Sequence, residues 1–306
     1  MSRTTRILLL TAVGLLVAVI ALGLIFGSHG MNSSYQPQNE FKLDDWVAIK
    51  LGGIDFSINK AVLYLFLAAA LTTGTMIYIA GRMQERPNRV QTAVETIYSL
   101  MRDNIAGTNN IDKRTAAKWF PFIGALFLFI WFSNLLGYIP LPTNSEETFN
   151  VFGAHIPSFA IYAATANISV TLALTLVVWV SYHVEGIRAK GVFGYIKSWL
   201  PGGLENVPAK FILIPGIFAI EVISQFVRII SLSVRLFANM LAGHLLILFM
   251  GGGLVVLLGL AALGVVTLPV AVIFFVFEVV LIATLQAFIF ATLTAIYLVG
   301  AVAESH

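Results

Sequence analysis

EVISQFVRIISLSVRLFANMLAGH, residues 221–244, decides the fold, because it sets Glu221, Gln225, Arg228, Arg235 and Asn239 into a run that is otherwise apolar. At about 100° per residue these side chains fall within one arc of roughly 80° on a helix, with Ser231, Leu232 and Gly243 beside it. His244 points away from that arc. An arginine at the centre of a membrane helix costs about 2.5–3.5 kcal/mol on insertion scales, so two on one stripe have to meet water, a carboxylate or another subunit. The stripe reads as one wall of an ion pathway.

The chain around this stretch has 306 residues, of which 58% are hydrophobic and 11% charged. That composition belongs to a polytopic membrane protein and not to a soluble domain. The predicted fold class is all-α: transmembrane helices, one interfacial amphipathic helix and a long tilted C-terminal helix hairpin. The formal net charge is only +3, and the basic residues concentrate in two loops, as membrane orientation requires. Nucleic-acid binding is therefore not expected. The absence of cysteine removes disulfides, iron–sulfur clusters and thiolate zinc sites. The five histidines lie too far apart for a helical metal pair, and neither a Walker A loop nor a dinucleotide fingerprint occurs. No cofactor or metal is expected, and nucleotide chemistry is not done by this chain alone.

Residues 7–26 are long enough to span and are read as a retained extra helix, with a cleaved secretory leader as the second reading. Segment 28–60 is polar and reads as an extramembrane arm, leaving 61–302 as the membrane domain. After a span at 61–81, the loop 82–118 carries seven basic residues against four acids, which marks the cytoplasmic side. Within it Val90, Val94, Ile97, Tyr98 and Met101 recur at helical spacing opposite Glu95 and Arg102, the pattern of an interfacial helix. Residues 119–141 cross outward. The segment 142–158, with Glu146 and Glu147 and no lysine or arginine, faces outside. Residues 159–183 return to a second basic loop at 184–210, which holds Arg188, Lys190, Lys197 and Lys210. The forty residues 211–250 would extend about 60 Å as one helix, twice the hydrocarbon thickness, so they form either two short spans or one strongly tilted helix. A second apolar run, 254–300, contains Pro269, Glu278 and Gln286 and pairs with the first as a hairpin.

Three stretches, SLSVRLFANMLAGHLL at 231–246, LQAFIFATLTAIYL at 285–298 and FSNLLGYIP at 132–140, resemble subunit a of the F-type ATP synthases. The resemblance covers about 61–302. It implies six helices, namely a first span, an interfacial helix, a hairpin of two spans and two long tilted helices against a rotating ring of c subunits. It also implies a b-subunit peripheral stalk, the remaining subunits of the complex, and the plasma membrane of a bacterium. The function it implies is that of a proton-translocating, non-catalytic stator subunit with two aqueous half-channels. By this resemblance Arg235 matches the family's essential arginine, facing the ring carboxylate, while Glu221, Arg228, Ser231, Asn239 and Gln286 match polar positions that line the half-channels or flank it. Arginine suits that place because it stays protonated and cannot itself relay protons. A secondary transporter would instead show internal repeats and broken midplane helices, which this sequence does not.

Two departures follow. His244 stands where many bacterial members have an acidic residue, and members with that histidine usually carry a glutamate in the last helix, a place Glu278 could fill. Glu278, however, precedes Gln286 by eight residues where the family pattern has seven, an offset of about 100° on a regular helix that only a local bulge would absorb. Several of these residues admit two roles. Glu221 and Arg228, seven apart, are a structural ion pair or channel groups. His244 is a proton-passing group or a satisfied interior histidine. Asn239 and Gln286 are amides that cannot titrate and suit interhelical hydrogen bonds.

Overall fold

The computed structural model describes residues 57–83, 113–139, 163–200, 210–253 and 264–302, pieces of 49–55, 88–99 and 148–157, and single positions at 14 and 43. Six α-helices are described over their length: α1 Lys60–Gly81, α2 Lys113–Leu136, α3 Ile168–Lys197, α4 Lys210–Leu248, α5 Gly264–Phe277 and α6 Ala283–Val302. One π-helical turn, Phe249–Gly253, closes α4, and another, Glu278–Ile282, joins α5 to α6. Five stretches are long and apolar enough to cross a membrane: Lys60–Gly81, Lys118–Leu136, Ile168–Lys197, Leu213–Gly251 and Thr267–Val302. The 7–26 helix lies outside the described residues except for helical Gly14.

Among the described residues, two short antiparallel hairpins depart from the all-α pattern. β1 (Lys50–Leu51) pairs with β2 (Ile54–Asp55), and β3 (Thr148–Val151) pairs with β4 (Ala154–Pro157). Both fall in segments expected outside the membrane, where water can satisfy the strand edges that hydrocarbon cannot. Of the interfacial helix, helical backbone is described at 89, 91, 92, 94–96 and 99. Its start is capped by Asn88, whose Oδ1 accepts from the Gln91 N–H at 2.9 Å, and the Asn88 amide ties back to the Arg82 carbonyl at 2.8 Å. Of its expected apolar face only Val94 is among the described side chains.

The third crossing differs from the expected 159–183. Asn167 caps its start by accepting from the Ser169 N–H at 2.8 Å, and the helix runs on to Lys197 through charged residues read as loop. Those residues are good helix formers, and charge pattern marks a membrane side without marking a helix end. At Gly191 the backbone takes φ 72°, ψ 164°, a conformation glycine adopts without strain. This kink turns 192–199 back so that Tyr195 and Trp199 pack on His183.

The forty-residue ambiguity resolves as one helix. α4 is continuous over 39 residues through Pro215, about 58 Å at 1.5 Å per residue, so crossing about 30 Å of hydrocarbon requires a steep tilt. The bundle closes on α6, where Ala283, Ala287, Ala291 and Ala295 are buried at four-residue intervals. Without a hydrophobic drive between helices in lipid, such a row of small side chains favours close packing. α2 and α3 approach along it, and Ile130, Val178, Leu236, Met240, Phe290 and Leu298 fill the core between helices. Three buried threonine hydroxyls are satisfied within their own helices, Thr72 to Ala68 O (2.7 Å), Thr175 to Thr171 O (2.8 Å) and Thr294 to Phe290 O (2.8 Å).

Candidate functional site

The stripe of the α4 sequence does not stay one wall. Its residues separate into a cluster near the N-terminal end of the helix, an outward face in the middle, and a second cluster near the C-terminal end.

At the N-terminal end, the Glu221 Oε1 accepts from Gln225 Nε2 at 2.9 Å and from Arg228 Nη2 at 3.5 Å. Gln225 is buried and its own Oε1 accepts from the Tyr182 hydroxyl at 2.7 Å, which ties α3 to α4. Arg228 lies over the Tyr297 ring at 5.3 Å from its centroid, which brings in α6. Glu221 and Arg228 are thus an ion pair, with side-chain exposures of 30% and 35%. The pair is therefore neither sealed in the core nor fully exposed, with Gln225 and the Tyr297 ring covering its inner side. Elsewhere on α3, Glu185 is buried between Lys118 at 2.9 Å and Arg188 at 3.0 Å.

In the middle of α4, Ser231, Arg235 and Asn239 are all exposed. Among the described residues Arg235 has no hydrogen-bond or ion-pair partner. The apolar residues of the same helix on the outward side, Ile223, Phe226, Val227, Ile230 and Val234, are 41–61% exposed. Arg235 lies about 10 Å along the axis from Arg228 and about 14 Å from His244, so it stands between the two clusters.

At the C-terminal end the offset of Glu278 is absorbed by a bulge. The π turn Glu278–Ile282 takes up one residue, the Ala283 N–H reaching back to the Glu278 carbonyl, and both Glu278 (7%) and Gln286 (5%) face inward. Glu278 Oε2 accepts from the Tyr138 hydroxyl at 3.2 Å. It packs so closely on Gly243 that a Cβ there would overlap the carboxylate. His244 is buried beside it, its Nε2 3.0 Å from the Gly137 carbonyl and its Nδ1 2.8 Å from the Met240 carbonyl. The Tyr138 ring stacks on the imidazole at 4.4 Å. His244 and Glu278 therefore share one cluster, joined through Tyr138.

Asn134 secures that geometry. Fully buried, it donates from Nδ2 to the Ala283 carbonyl at 3.1 Å and accepts from the Thr165 hydroxyl at 2.6 Å, so α2 grips the backbone where the π turn becomes α6. The Trp131 indole donates to the Thr284 hydroxyl at 3.1 Å one residue further on.

Sequence reasoning missed Tyr138, Tyr182 and Tyr297. Each is an aromatic at an ordinary packing position, and only the hydroxyl of a tyrosine deep in an apolar span hints at a polar partner.

Charged and amide side chains gathered at two levels of a membrane helix, with an arginine between them, define a polytopic ion-translocating subunit. The family model described as ATP synthase A chain matches residues 62–299. The ATP synthase subunit a of Rubrobacter xylanophilus is 37% identical over 254 residues, covering 83% of this chain and 88% of the relative. That of Rhizobium rhizogenes is 35% identical over 275 residues, covering 87% and 96%, and that of Hyphomonas neptunium 32% over 277 residues, covering 88% and 97%. The chain belongs to the ATP synthase subunit a family. It is a multi-pass membrane protein and a non-catalytic, proton-translocating stator subunit of a complex with other subunits.

Proposed function

We propose that the outward face of α4 rides against a ring of c subunits in the bacterial plasma membrane, with Arg235 as the fixed charge that each ring carboxylate meets. A b-subunit stalk and the remaining subunits of the complex hold this chain against rotation. The Glu221, Gln225 and Arg228 cluster lines the cytoplasmic half-channel. The His244 and Glu278 cluster, at the end of α2 that leads to the acidic outer loop, lines the outer one. Ser231 and Asn239 flank Arg235 on the sliding face, and Gln286 stands inward on α6 on the same side as Glu278.

One observation carries this reading: a guanidinium in the middle of an apolar, outward-facing helix surface with no partner among the described residues. Left to lipid it would cost about 2.5–3.5 kcal/mol, and a carboxylate on a neighbouring subunit offsets that. A proton arriving from the outer cluster neutralises the ring carboxylate and lets it leave the arginine for lipid. After rotation the proton departs through the other cluster. Arginine keeps its charge throughout, so it separates the two half-channels and attracts without relaying.

The test is Arg235→Ala in proteoliposomes of the whole complex. ATP-driven proton pumping and ATP synthesis should both be lost, while passive proton leak through the membrane sector persists or rises. The variant should still insert, because it removes a charge from the membrane. Arg235→Lys should also fail to couple, since it keeps a charge without the planar fork. Normal coupled pumping by the alanine variant removes Arg235 from the mechanism.

A further inference from the structure

His244 and Glu278 lie in one cluster, and the described contacts between them run through one residue. Both imidazole nitrogens are already taken by carbonyl oxygens, of Gly137 at 3.0 Å and Met240 at 2.8 Å. A neutral imidazole has one donor and one acceptor, so one of these contacts would pair two acceptors; the imidazolium donates to both. The face of the ring remains, and Tyr138 covers it at 4.4 Å and 27°. The hydroxyl at the far end of the same tyrosine donates to Glu278 Oε2 at 3.2 Å. Tyr138 is itself buried, at 4% exposure, and Phe275 holds it edge-on at 6.1 Å. Gly243, the residue before His244, makes the room that Glu278 occupies.

We propose that Tyr138 is the positioning residue that makes His244 and Glu278 act as one unit in the outer half-channel, by stacking on the first and hydrogen-bonding the second. This rests on the reading of that cluster as the outer half-channel. A cation against the phenol face is favourable and draws electron density from the ring. That sharpens the hydroxyl as a donor, so the Tyr138 to Glu278 bond strengthens when His244 is charged and weakens when it is neutral. A proton gained or lost at His244 is thereby felt at Glu278 without moving either side chain, and no bond to hydrogen in Tyr138 need break.

The experiment uses the assembled complex in inverted membrane vesicles and ATP-driven proton pumping. Tyr138→Phe keeps the stack and removes the hydroxyl, and should slow pumping by about tenfold or more, the scale of a lost hydrogen bond to a charged group. Fluorinated tyrosines placed at position 138 change hydroxyl acidity with little change of shape, and the pumping rate should follow that acidity. A merely structural tyrosine would leave the series flat. In a double-mutant cycle, His244→Gln and Glu278→Gln should be non-additive in the wild-type background and additive in the Tyr138→Phe background. Wild-type pumping by Tyr138→Phe, or a fluorotyrosine series with no trend, overturns the proposal. Should Tyr138→Phe fail to assemble, the fluorotyrosine series decides alone. Arg235→Ala in the same vesicles separates the two levels. If it uncouples while Tyr138 proves inert, only this inference falls; if it pumps normally, the half-channel reading falls with it.

Discussion

Deleting Val280 should be tolerated, although deleting a residue inside a membrane helix ordinarily is not. Val280 lies within the π turn Glu278–Ile282 and is 65% exposed, so its side chain contributes little packing. With it gone, the turn can close as regular α-helix and the interval from Glu278 to Gln286 falls from eight residues to seven. Eight residues on an ideal helix place the two about 80° apart and seven about 20° apart in the other sense, a difference of about 100°. The π turn already supplies that correction, since both side chains are buried; the deletion supplies it again by other means and leaves Glu278 beside Tyr138. Were the phase lost instead, the carboxyl would forfeit a hydrogen bond of about 1.5–3 kcal/mol and turn toward hydrocarbon at about 2.5–3.5 kcal/mol. The sum, about 4–6 kcal/mol, would cut the population of the native geometry by roughly a thousandfold or more. Deleting Ile273, 68% exposed in regular α5, is the control. No bulge is there to absorb it, and buried Thr267 and Ala271 must rotate by about 100° against Glu278. Quantified in membranes with equal amounts of assembled complex, the Val280 deletion should retain most ATP-driven pumping and the Ile273 deletion should lose it. Equal loss in both would refute the phase argument.

Glu221→Gln keeps an acceptor for Gln225 but removes the charge opposite Arg228. The Tyr182–Gln225 hydrogen bond and the Arg228–Tyr297 contact still tie the three helices together, so the folded subunit should persist while proton flux falls; flux unchanged across the pH range would make the pair purely structural. Asn134→Ala removes two buried hydrogen bonds, at about 0.6–1.7 kcal/mol each in a membrane, and should destabilise the subunit by about 1–3 kcal/mol in denaturant titration in mixed micelles. The loss should be matched by reduced pumping, because the π turn that aims Glu278 is then held less firmly, and an unaltered titration midpoint would show that the grip on Ala283 contributes nothing.

The sequence by itself determined the membrane class, the spans at 61–81 and 119–141, the forty-residue run too long for an upright crossing, and the polar stripe of α4. These depend on composition and local period, which hydrocarbon makes unusually decisive because every backbone group must be bonded within its own segment. It also found Arg235 and both clusters' charged members, since a polar side chain within an apolar span stands out without any knowledge of its neighbours. Tertiary structure alone decided what those residues touch. A helical wheel drawn for an ideal helix put Glu221, Gln225, Arg228, Arg235 and Asn239 on one face; packing on α3 and α6 buries Gln225 and leaves Arg235 and Asn239 outward. The wheel likewise put Glu278 out of step with Gln286, because a single-residue π bulge has no signal in a sequence read at constant period. Tyr138 was invisible for the same reason that it matters: its ring belongs to the core and its hydroxyl to the polar cluster, and only packing from three distant segments, at 137–138, 243–244 and 275–278, brings the two roles to one side chain.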